Sequence, residues 1–118
     1  GSARGILITG GSMSGPVIGA GEQIGAIAPS NYTLTGNWLL WCYPAGSVEL
    51  DVRKTSFGLL PPGPGDSICG SNFPEIVADT SATGDFTGWS TSVSQGDAMT
   101  VFVTSSDVSW FVLMLEAA

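Results

Sequence analysis

Two carboxylates on one face of a strand are the least a protein needs for glycoside hydrolysis, and Glu49 and Asp51 have that spacing. Arg53 follows at the same interval, so the three read together as a charged outer face rather than an acid–base pair. The chain has no histidine, which removes the commonest general base and the commonest metal ligand together. It has no Gly-x-Ser-x-Gly elbow, phosphate loop or Cys-x-x-Cys pair. The scattered aspartates have no calcium-loop signature behind them. The sequence therefore predicts no catalytic residue, no metal and no cofactor. Cys42 and Cys69 match no metal-site spacing; they form one bridge or, the reading we prefer, two separately buried thiols. Asn31-Tyr32-Thr33 fits a glycosylation sequon, which has meaning only in a secretory context.

Composition narrows the partners. Ten acidic residues against three basic ones give a net charge of −7. Nucleic acid is excluded as a partner, because binding it requires a basic patch that releases counterions. An anionic membrane surface is disfavoured on the same ground, and no apolar run approaches the roughly 20 residues that span a bilayer. Charged residues are only 11% of the chain against 43% hydrophobic. A soluble domain ordinarily carries about 25% charge, so small polar residues or another molecule must cover part of this surface.

The elements that would position these residues are strands. With 17 glycines and 7 prolines, nearly every segment is interrupted before a helix could form. Between the breaks lie short runs of Val, Ile, Thr, Phe and Trp. Residues 47–55 alternate strictly, Val48, Leu50 and Val52 against Glu49, Asp51 and Arg53, which predicts a strand with one buried face. Residues 32–43 precede it across Pro44-Ala45-Gly46, and the two predict an antiparallel hairpin. Residues 56–72 hold Pro61-Pro62-Gly63-Pro64-Gly65 and read as a stiff, ordered loop. Further strands are expected over 75–79, 87–93, 99–104 and 108–115, with a turn at 81–84. Gly1-Ser2 reads as a tag remnant, and residues 1–25 as a Gly/Ser-rich lead-in with one short strand at 5–9. The expected domain is an all-β, antiparallel, jelly-roll-like β-sandwich over 26–118, with Trp38, Val48, Leu50, Val52, Trp89, Val101 and Val103 in its core.

Two segments carry more apolar side chains than one interior accepts. Over 38–43, Trp38, Leu40 and Cys42 fall on one face and Leu39, Trp41 and Tyr43 on the other. Over 108–115, Trp110, Val112 and Met114 oppose Phe111, Leu113 and Leu115. An exposed Leu-Trp-Tyr stripe is a large apolar patch, and such patches mark interfaces or ligand sites. Leu39, Trp41, Phe111, Leu113 and Leu115 are accordingly expected at an oligomer interface.

The order of residues also resembles a known family. Trp38 is followed by Gly46-Ser47, Val48, Leu50-Asp51-Val52 and Lys54, then Pro61-Pro62, Asp66-Ser67-Ile68 and Gly70-Ser71. Phe86-Thr87-Gly88-Trp89 and Gly96-Asp97 lead into the apolar closing strand. Over residues 32–116 this resembles the β-sandwich domain of bacteriophage tail-fibre, tailspike and other virion surface proteins. The resemblance implies a non-enzymatic module on the phage particle, a homotrimer serving host attachment or structural display. Its partners would be further copies of itself, a host cell-surface glycan or neighbouring virion proteins. In that setting Trp41, Tyr43 and Phe57 would stack on sugar rings. Two alternatives stand beside it, a carbohydrate-binding module of a secreted protein and a capsid decoration protein; the doubled apolar stripes favour oligomerisation over a monomeric sugar module.

Overall fold

The computed structural model describes residues 4–59 and 61–118. Gly1-Ser2 and Leu60 lie outside them. Seven strands follow one another: β1 (Arg4–Gly11), β2 (Gln23–Ile27), β3 (Tyr32–Thr55), β4 (Glu75–Asp85), β5 (Ser92–Val93), β6 (Ala98–Ser106) and β7 (Trp110–Ala117). The only helical element among the described residues is a single 3-10 turn at Pro64–Asp66. The chain is an all-β sandwich, and every strand pairing is antiparallel.

β3 organises both layers. Its first half pairs with β7 on one side, its second half pairs with β6, and β4 runs along its other side from Asn37 as far as Glu49. β1 extends the first layer beyond β7, and β2 extends the second beyond β6. The hairpin expected around Pro44-Ala45-Gly46 is therefore corrected: residues 32–55 form one strand of 24 residues. The Tyr43–Pro44 peptide is cis, and the β3–β4 register slips between Trp41 and Gly46. The slip in register bends the strand from one layer into the other instead of reversing it, as bulges do. The turn expected at 81–84 is likewise part of a strand, because Ser81, Ala82, Thr83 and Gly84 pair with Trp41, Leu40, Leu39 and Trp38. β1 is paired with β7 along its whole length, and residue 25 falls inside β2.

Alternation along these strands fills the core. Ile6, Ile8, Trp38, Leu40, Cys42, Val48, Leu50, Val52, Val101 and Val103 are buried there, with Trp89 at its margin. Phe111, Leu113 and Leu115 are also wholly buried. Their expected place at an oligomer interface is corrected by register: Leu113 lies opposite Leu40 and Phe111 opposite Cys42, so all share the inward face.

The charged face expected on residues 49–53 is partly interior. Asp51 and Arg53 are only 8% and 6% exposed. The loop after β3 returns alongside them, with the Ile68 N–H bonded to the Val52 carbonyl. Asp51 Oδ2 accepts from Arg53 Nε at 3.1 Å, its Oδ1 accepts from the Ser67 hydroxyl, and the Arg53 guanidinium lies 4.0 Å from the Phe102 ring centroid. This satisfied network is what allows the pair to leave water.

One core contact admits a direct test. Gly84 faces the Trp38 indole, and a Cβ there would stand 2.5 Å from Cζ2. Gly84→Ala is expected to cost about 1–3 kcal/mol by overpacking. In a Trp38→Phe background the obstructing atom is gone, so denaturant titration of the four proteins should return a coupling of at least about 0.5 kcal/mol. Trp38 Nε1 is buried without a partner among the described residues, so phenylalanine also removes an unsatisfied donor.

Candidate functional site

Because the inward stripe of β3 and β7 fills the core, the alternate stripe must face outward. Side chains directly opposite on neighbouring strands share a face, so the register assembles rows across β1, β7, β3 and β4. Leu7, Met114, Leu39 and Thr83 form one row. Thr9, Val112, Trp41 and Ser81 form the next, and Gly11, Trp110 and Tyr43 the third. Neighbouring strands lie about 4.8 Å apart and alternate residues about 6.6 Å apart along a strand, so the array spans roughly 14 Å by 13 Å.

The large side chains of this array are open to solvent. Trp41 is 63% exposed, Leu7 53%, Tyr43 49% and Leu39 43%. Val112, Met114 and Trp110 are half-buried between them. Trp41 borders three shallow hollows. One, of about 400 Å³, is lined also by Leu7, Leu39, Val112 and Met114. A second, of about 310 Å³, adds Met13, Tyr43 and Trp110, with Thr80 and Ser81 at its polar side. The third, of about 430 Å³, lies toward β4 against Ser81, Ala82 and Thr83. No charged side chain stands within the three rows; Glu116 is at their end, where its Oε1 accepts the Asn37 N–H at 2.9 Å. The face can offer stacking and dispersion at its centre and hydroxyl hydrogen bonds at its rim.

Of the residues expected to contact ligand, Trp41 and Tyr43 come together on this face. Phe57, 64% exposed, does not: it lies beyond the far end of β3, after the strand has crossed to the other layer. Leu39 and Trp41 were expected at an interface and are on the open face. Leu7, Trp110, Val112 and Met114 complete the array and were not named as site residues. Their signal was present in the apolar alternation of β7, but only pairing with β1 and β3 shows which stripe faces out.

The thiols lie beneath and away from this face. Cys42 is buried under the array, 3.2 Å from the Asp79 carbonyl. Burial pushes its thiol above the ordinary value; the Gly46 N–H opposes that, and the Asp107 and Asp79 carboxylates add to it. Cys69 is buried and pushed up to about 12, first by burial, against a hydrogen bond from the Val52 N–H. Both cysteines are unbridged. Native protein at pH 8 is therefore expected to resist iodoacetamide at both positions and to take up two labels in denaturant, read by intact mass. An unfolded Cys69 ionises near 9 while the folded one stays protonated to about 12. The unfolded state thus binds fewer protons in that window, and stability should fall there by up to about 1.4 kcal/mol per pH unit. Cys69→Ala should flatten that slope relative to the parent protein.

No family model matches the chain, and no curated protein matches it. Among solved structures it is similar to the carbohydrate-binding module CBM36 in complex with calcium and xylotriose, at 13% identity and a TM-score of 0.45, over 98% of each chain. It is also similar to a native family 35 carbohydrate binding module from Clostridium thermocellum, at 15% identity and a TM-score of 0.34. That match covers 98% of this chain and 90% of the other. These matches are to carbohydrate-binding modules, which corrects the expected likeness to phage tail-fibre, tailspike and virion surface domains and the virion-module function drawn from it; they lend no support to the homotrimer.

Proposed function

We propose that this chain is a non-catalytic carbohydrate-binding domain, and that the outer face of β1, β7, β3 and β4 is its binding surface. The observation that carries this reading is Trp41. It is a large aromatic side chain, mostly exposed at the centre of an ordered sheet, flanked by Tyr43 and bordered by the hydroxyls of Ser81 and Thr83. An indole presents a flat apolar surface that packs against the C–H face of a sugar ring while the rim hydroxyls meet the sugar's own. Its position on a paired strand fixes the ring's location before ligand arrives, which lowers the ordering cost of binding. Acid–base chemistry has no place here, since the three rows hold no carboxylate.

The net charge of −7 limits the ligand to neutral or cationic glycans, because an anionic polymer would be repelled. Depletion from solution by a panel of neutral insoluble polysaccharides, beside native gel electrophoresis through neutral soluble ones, tests the reading. Depletion or retardation of the parent protein, lost in Trp41→Ala and weakened in Tyr43→Ala, is the expected result. No depletion by any powder, together with equal mobility in every polysaccharide gel and in a blank gel, would refute it.

A further inference from the structure

The shape and chemistry of the face narrow the ligand further, on the assumption that it binds carbohydrate at all. We infer that its occupant is the surface of a neutral, packed polysaccharide, in which several chains lie side by side, rather than a single dissolved chain.

Three observations support this. First, the apolar array extends in two directions: along β3 from Leu39 to Tyr43, and across the strands from Leu39 through Met114 to Leu7. A single extended chain follows one line of side chains and leaves the others in water, whereas chains packed in a plane cover both directions together. Apolar area that remains hydrated contributes nothing to binding, so the two-dimensional array is matched only by a two-dimensional partner.

Second, the face does not wall in a chain. Its hollows are shallow and meet at Trp41, and apart from Met13 the residues that line them all lie on strands β1, β3, β4 and β7 rather than on walls raised above the sheet. Third, the groups that could read a particular hydroxyl pattern stand at the margins: Thr9 on β1, Ser81 on β4 and the Tyr43 phenol, with Thr83 left only as an acceptor because its hydroxyl donates to the Trp38 carbonyl at 2.7 Å. A short oligosaccharide on the centre would meet Leu, Val, Met and Trp side chains with few directed hydrogen bonds, and would gain little affinity or specificity. A packed surface needs few such bonds, because its hydroxyls are already paired between chains. The absence of charge from the rows, in a protein of net charge −7, fits a neutral surface and sets aside an anionic one.

The test is a depletion assay on microcrystalline cellulose powder and on chitin powder, beside titration calorimetry with soluble cellohexaose and chitohexaose. The expected result is binding to at least one powder that persists in 1 M NaCl, is lost in Trp41→Ala, and is at least about tenfold tighter than binding to the matching hexasaccharide. A hexasaccharide bound as tightly as its powder would overturn this inference and leave carbohydrate binding in place. Binding to neither form, or powder binding that Trp41→Ala leaves intact, would overturn both. Light scattering on the same samples adds one outcome: a parent mass above one chain that returns to 12.1 kDa in Trp41→Asp would give the face to a second copy and overturn the inference.

Discussion

Asp51→Ala is expected to destabilise the fold by about 3–5 kcal/mol, a large fraction of a typical domain's stability. Arg53 is 6% exposed, and its Nε donates to Asp51 at 3.1 Å. Removing the carboxylate takes away the one ion-pair partner that Arg53 has among the described residues, and also deprives the Ser67 hydroxyl of its acceptor. The Phe102 face, 4.0 Å from Arg53, offsets only part of that loss. The effect should spread along the chain, because Ser67 and Ile68 are what hold the loop against the second half of β3. Urea denaturation checks the magnitude. Replacing both charges, Asp51→Val with Arg53→Met, should recover most of the loss, since an apolar pair of similar volume incurs no desolvation cost. A single-variant loss below about 1 kcal/mol would mean that water reaches the pair and that the network is not what closes this side of the sandwich.

Trp41→Ala should have the opposite profile, abolishing measurable binding with little change in stability. A central aromatic anchor contributes roughly 2–4 kcal/mol when truncated, or about a 30- to 1000-fold loss of affinity. Because Trp41 is 63% exposed, its removal should alter unfolding free energy by no more than about 1 kcal/mol. Tyr43→Ala should lose less, since its ring sits at the end of the array rather than its centre. Phe57→Ala is the internal control: it is exposed like Trp41 but stands outside the rows, so its affinity should stay within about twofold of the parent. Depletion isotherms on the tightest-binding polysaccharide, alongside thermal unfolding of each variant, separate the two effects. Loss of binding in Phe57→Ala with retention in Trp41→Ala would move the site off this face.

These expectations drew unequally on sequence and on structure. The alternation of Trp38, Leu40 and Cys42 against Leu39, Trp41 and Tyr43 was visible as a string, and so was the consequence that one stripe had to lie outside a single interior. The same string could not choose between the two stripes of β7. Trp110, Val112 and Met114 are as apolar as Phe111, Leu113 and Leu115, and parity is set only when Leu40 meets Leu113. Pro44-Ala45-Gly46 is chemically a turn, yet whether the chain reverses or merely bends depends on partners remote in sequence, β7 for one half of β3 and β6 for the other. The burial of Asp51 and Arg53 was equally hidden, because the group that covers them, Ser67, arrives from a loop.

By itself, then, the sequence determined the class of element, the all-β sandwich and the surplus of apolar side chains, because a strand's period of two is a local property of the backbone. Only the tertiary structure decided which of those side chains are core and which form the open face, and that Trp41 and Tyr43 share it with Leu7 and Met114 while Phe57 does not. Membership of a face is settled by register between strands distant along the chain, and a shift of a single residue would exchange inside for outside.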